Sequence, residues 1–191
     1  MHRKVRWITE TAAMLALLIC LQWLGSFVPE QLTKQLITGT LVNCVLAVTV
    51  LAVGMRGGIV VAVASPICAF LLNIAPNFVT VLPIMLGNVS YVVLLRLMLR
   101  KDSKTAWKKP VAVTTAAAVK FGVLYVLVVE VICGLAAEWL LGKKVGDVVV
   151  LAPKMLKMLP VMFTWPQLIT AIVGGLLAML ILPVLRKALH R

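Results

Sequence analysis

Lys120 stands in an apolar run that extends from Pro110 to about Leu141, ten residues from its start. At about 1.5 Å of helical rise per residue, that places its ammonium about 15 Å into the run, near the centre of a bilayer. A lysine there costs roughly 2.5–3.5 kcal/mol on insertion scales and marks an ion or ligand path. Asn43 lies about 10 Å below the outer end of a second run. Asn88 lies nine residues below the outer start of a fourth. Three polar side chains on three runs therefore share a depth, and their chemistry is recognition. An ammonium donates to a carboxylate, phosphate or ring carbonyl, and an amide both donates and accepts. Taken singly, each asparagine is as well suited to hydrogen-bonding two helices together. Glu130 is ten residues beyond Lys120, too far along the axis (about 15 Å) for direct pairing. The two bracket a ligand-sized gap, with Tyr125 between them in height. Nearer the outer mouth come Gln35, Thr38, Asn73, Asn77 and Gln167. Trp165, in the rigid Trp165-Pro166 corner, offers either a stacking face for a flat ligand or an interfacial belt residue.

Catalytic chemistry is not expected. There is no GxxxxGK[ST] phosphate loop, no HExxH and no GxSxG elbow. The histidines are His2 and His190 at opposite ends, and the aspartates, Asp102 and Asp147, fall in loops on opposite faces. Cys20, Cys44, Cys68 and Cys133 lie in apolar segments without CxxC spacing and read as small buried hydrophobes. No metal site and no cofactor are expected.

The elements that position these groups follow from composition. The 191 residues are 62% apolar and 13% charged, against about half and a quarter in soluble domains. The excess falls in long runs, which predicts an all-α polytopic membrane protein: one transmembrane domain over 1–191 with six helices. Their approximate limits are 7–27, 36–53, 59–74, 79–99, 110–141 and 165–185. Thirteen basic residues fall between spans on one side (among them Arg3, Lys4, Arg6, Arg56, Lys108 and Arg186), against five on the other: Lys34, Lys143, Lys144, Lys154 and Lys157. The positive-inside rule then predicts cytoplasmic N- and C-termini, and it accounts for the net charge of +13 without a nucleic-acid partner. The first helix follows three basic residues and lacks a small-residue cleavage site, so it reads as a retained span.

The fifth run is too long for a simple crossing. Its residues would reach roughly 47 Å as a helix against a core of about 30 Å. It must tilt, break near Gly134 or project outward. The outer connection from Gly142 to Thr164 carries Pro153-Lys154-Met155-Leu156-Lys157-Met158-Leu159. Its lysines share one helical face, which suits an interfacial helix or a lid over an outward-facing site.

The first helix presents Ala12, Ala13 and Ala16 in the stretch Thr11-Ala12-Ala13-Met14-Leu15-Ala16, and Ala12-x-x-x-Ala16 lets another helix approach closely. With Gln35-Leu36-Ile37-Thr38-Gly39-Thr40-Leu41-Val42-Asn43, Leu86-Gly87-Asn88 and Phe163-Thr164-Trp165-Pro166-Gln167-Leu168, this resembles the S components of energy-coupling factor (ECF) transporters. Within that family the resemblance is to a subgroup whose ligands are largely unassigned, and it covers the whole chain in size and layout. It implies a bacterial plasma-membrane subunit that captures a vitamin or other micronutrient from outside, beneath its outer loops. It also implies docking, through Ala12, Ala13 and Ala16, onto a membrane coupling subunit driven by two ATPase subunits. Met14 and Leu15 narrow the small surface relative to an alanine-only run. Two other readings stay open: a self-sufficient carrier coupled through Glu130 or Lys120, and a structural or accessory membrane protein.

Overall fold

Proline and glycine punctuate this chain where its helices begin and end. The computed structural model describes residues 2–72, 74, 77–99, 107–145 and 148–188. Helix α1 (His2–Ser26) stops ahead of Val28-Pro29, and α2 (Gln31–Ala52) starts at once. Glu30 caps α2: its carboxylate accepts from the Thr33 backbone N–H at 3.1 Å and from the Thr33 hydroxyl, satisfying a donor that a helix start leaves open. Gly54, at φ +113°, makes the turn into α3 (Met55–Leu71) in a conformation that L side chains avoid. A short 3-10 turn (Phe78–Thr80) leads into α4 (Val81–Met98). Pro110 sits in the first turn of α5 (Lys108–Leu124), where its missing N–H costs nothing.

Beyond Leu124 the helix does not stop. It continues as a π-helix from Tyr125 to Leu135 and ends where the Ala136 N–H bonds to the Val131 carbonyl at 2.8 Å. Of the three outcomes expected for the overlong run, a break close to Gly134 is the one found. A single turn, α6 (Ala137–Leu140), follows. The chain then forms a hairpin of two-residue strands, β1 (Lys144–Val145) and β2 (Val148–Val149), paired antiparallel. The expected amphipathic stretch becomes α7 (Pro153–Met162), with Pro153 at its first position, and Trp165 opens α8 (Trp165–Ala188).

Helix α2 is the hub, touching α1, α3, α4 and α8, while α5 packs between α4 and α8. Leu46 and Val50 of α2 meet Val61, Tyr91, Val113 and Ala178 in the main core. Small residues allow α2 and α8 to close. A Cβ on Gly174 would stand 2.4 Å from the Thr40 carbonyl, so only glycine permits this approach. A second apolar cluster lies beneath the hairpin and α7, where Leu151, Leu159, Met162 and Phe163 rest on Leu124, Val128 and Ile132.

Among the described residues, five helices are long and apolar enough to cross a membrane: Lys4–Ser26, Gln31–Ala52, Phe78–Met98, Lys108–Leu135 and Trp165–Lys187. The remaining apolar helix, Met55–Leu71, has 17 residues, the short end of what a crossing needs. The observed boundaries move outward from expectation at α2, which begins at Gln31 rather than near residue 36. That brings Lys34 and Gln35 onto the helix.

Candidate functional site

The side chain of Lys120 is buried, 3% exposed, on the face of α5 that also carries Val113, Ala116, Ala117 and Leu124. Its Nζ donates to Asn43 Oδ1 at 2.6 Å and to Asn88 Oδ1 at 2.7 Å. Helices α2, α4 and α5 are thus tied at one point. The Asn43 amide is oriented by its other end: Nδ2 donates to the Gly39 carbonyl at 2.8 Å and reaches Thr170 Oγ1 of α8 at 3.5 Å. Thr170 in turn donates to the Gln167 carbonyl at 3.2 Å. The Tyr91 ring lies 5.6 Å from Nζ, within cation–π range, and the Tyr91 hydroxyl donates to the Ala171 carbonyl at 3.1 Å. Among the described residues, no carboxylate stands within ion-pair distance of Lys120. The amine is buried between two neutral acceptors.

This knot forms the floor of a cavity of about 600 Å³, the size of pockets that hold small organic ligands. Its walls come from Gln22 of α1, Lys34 to Asn43 of α2, Pro66 and Ala69 of α3, Ile84 and Asn88 of α4, and Gln167 of α8. Helix α7 roofs it with Lys154, Met155, Met158, Leu159 and Met162. The charged residues of the lining are Lys34, Lys120 and Lys154, all cationic. Gln22 Oε1 and Thr38 Oγ1, on two residues of the lining, are buried without a hydrogen-bond partner among the described residues, and Thr38 Oγ1 faces Gly25 of α1.

The expected site residues divide. Asn43, Asn88, Lys120 and Gln167 line this cavity, together with Gln35 and Thr38. Asn77 is buried beside it but turns to the roof, donating to the Val150 carbonyl at 2.5 Å and approaching Met155 Sδ at 2.9 Å. It holds the hairpin and α7 rather than the cavity. Tyr125 and Glu130 do not bracket a ligand. Both are exposed on the outer surface of the π segment, with the Tyr125 ring against Phe121 at 5.9 Å. The reason is azimuth: at about 100° per residue, Tyr125 lies about 140° round the helix from Lys120. Trp165 is 48% exposed and absent from the lining, so it does not stack in this cavity. Asn73 falls outside the described residues. Ala12, Ala13 and Ala16 lie exposed on α1, while Ala171 and Ala178 of α8 are fully buried.

Several lining residues were not anticipated. Gln22 is the lone amide within its apolar run, a signal that was present. Met155, Met158 and Met162 enter because the stretch expected as an interfacial helix or a lid folds as α7 over the mouth; Thr170 stands behind the lining, where a Cβ on Gly39 would meet it at 3.1 Å.

Fold and site together describe a helical protein with several helices that could span a membrane and a buried, lysine-floored cavity beneath a helical roof. No family model matches the chain, and no curated protein or solved structure is similar to it.

Proposed function

We propose that this chain is the substrate-capturing subunit, or S component, of an ECF-type importer. In this reading it is a six-span protein of the bacterial plasma membrane with both termini cytoplasmic. It takes a small micronutrient from the outer side and passes it on through a membrane coupling subunit with two ATPase subunits. The observation that carries the reading is the roofed cavity with Lys120, Asn43 and Asn88 at its floor, where costly polar groups converge from three helices. The exposed small-residue surface of α1, which would serve for docking, supports it. The positive-inside rule supports the orientation, which puts the roof outside.

The test is reconstitution. Liposomes holding this chain with a coupling subunit and its ATPases should accumulate the small molecules identified by mass spectrometry in the purified protein, in an ATP-dependent manner. The chain alone should bind without transport. Rapid uptake by the chain alone would assign it to self-sufficient carriers.

A further inference from the structure

Resting on the capture reading, we infer that the cargo is an organic anion whose acidic group sits against Lys120 at the cavity floor. An ammonium has three N–H donors. Two are taken by the Oδ1 atoms of Asn43 and Asn88, and among the described residues no third acceptor is within bonding distance. Both acceptors are neutral, so when Lys120 is protonated no described residue compensates its charge. A resident carboxylate would have neutralised it and filled the third position. Its absence leaves both charge and donor for a ligand.

The rest of the lining points the same way. Lys34 stands nine residues before Asn43 on α2, about 13 Å nearer the mouth by helical rise, and Lys154 approaches from the roof. Among the described residues, a cationic cargo would meet three lysines and no carboxylate. A neutral cargo would leave the floor charge as it is. An anion passes two lysines at the entrance and ends on the third, an arrangement that focuses field lines and speeds capture. Between these levels the wall mixes apolar Val42, Ile84, Leu124 and Phe163 with polar Gln22, Gln35, Thr38 and Gln167, so the cargo carries a partly apolar body with hydrogen-bonding groups behind its acidic group. Carboxylates and phosphate monoesters share this chemistry.

The experiment is thermal unfolding of the purified full chain in detergent with matched probes. Phenylacetate, indole-3-acetate, 4-hydroxybenzoate and adipate are each compared with their amides and amines, and phenyl phosphate with phenol. At least one acid should raise the unfolding temperature by about 3 °C or more at saturation. Its neutral counterpart should bind about 10–100-fold more weakly, the worth of a charge-assisted hydrogen bond. Lys120→Gln should remove the shift. The pair Lys34→Gln and Lys154→Gln should slow association and remove its salt dependence, and should reduce the shift by less than Lys120→Gln does. Should Lys120→Gln not fold, the acid-against-amide comparison in the unaltered chain decides. Stabilisation by amides or amines equal to that by the acids overturns the inference, as does the failure of every acid. This assay needs no partner subunit. Acid-selective binding without coupled uptake would sink the importer reading and leave the cargo chemistry standing, and coupled uptake of a neutral compound would do the reverse.

Discussion

Removing the Lys120 knot in stages separates a site kept for binding from one kept for stability. Asn88→Leu deletes one of the two acceptors of a buried ammonium, and a hydrogen bond to a charged group is worth about 1.5–3 kcal/mol. For a chain of this size each kcal/mol moves the unfolding temperature by about 2–4 °C, so a fall of about 3–12 °C is expected. Lys120→Met alone relieves roughly 2.5–3.5 kcal/mol of lysine burial. It forfeits both charged bonds, about 3–6 kcal/mol together, and orphans two amide oxygens, so it too destabilises. The triple replacement Lys120→Met, Asn43→Leu and Asn88→Leu leaves no orphan. Replacing a whole buried charge network with apolar groups is often neutral or stabilising by about 1–4 kcal/mol. The triple variant should therefore unfold at or above the temperature of the native chain while binding no cargo. The assay is thermal unfolding in detergent, paired with mass spectrometry of retained small molecules. A triple variant less stable than Asn88→Leu would refute the reasoning, because the knot would then be interhelical cement.

Four further outcomes are expected. Gly174→Ala places a methyl 2.4 Å from the Thr40 carbonyl and should destabilise by about 1–3 kcal/mol through overpacking, read as a lower unfolding temperature. Asn77→Ala removes the tie to Val150 and Met155, and should raise hydrogen exchange over residues 150–160 up to about tenfold with little change in global stability. Tyr125→Phe and Glu130→Gln lie outside the cavity and should leave ligand affinity within about twofold, measured by the same thermal titrations. Ala16→Trp on the exposed face of α1 should abolish coupled uptake in liposomes while ligand binding by the isolated chain is unchanged.

The depth of a polar residue can be read from its distance to a helix end. That is why Lys120, Asn43 and Asn88 were legible as a set before their contacts were known. Direction around a helix was the weaker link. Tyr125 and Glu130 were placed by height alone, although the angular step per residue already set Tyr125 on another face, and no periodicity announced the π-helix that carries both. Gln35 and Thr38 read from sequence as near the mouth, whereas Lys34 reads as a loop residue and lies on α2. Its helix was started late because the cap is Glu30, a residue less usual there than serine or aspartate. The hairpin of two-residue strands is too short to leave a pattern, whereas α7 was visible from Pro153 and its lysine spacing. Contacts between runs, such as Thr170 seated against Gly39, depend on how helices cross, and a single sequence does not encode that locally.

Entry and enclosure in this cavity rest on different forces. The mouth carries Lys34 and Lys154, whose attraction for an anion weakens as salt screens it over a Debye length of about 8 Å at physiological strength. The roof is held otherwise: Leu151, Leu159, Met162 and Phe163 lie on Leu124, Val128 and Ile132, an apolar seam that salt does not loosen, pinned at one edge by Asn77. Leu124 belongs to this seam and also lines the cavity one turn beyond Lys120 on the same helix face. A group bound on the ammonium is therefore one helical turn from the surface on which the roof rests. Methionines, with their flexible unbranched chains, are suited to a roof that must reseat over cargo. Capture rate should then fall with ionic strength while the rate of escape stays nearly constant, a division that would not arise if ion pairs closed the roof.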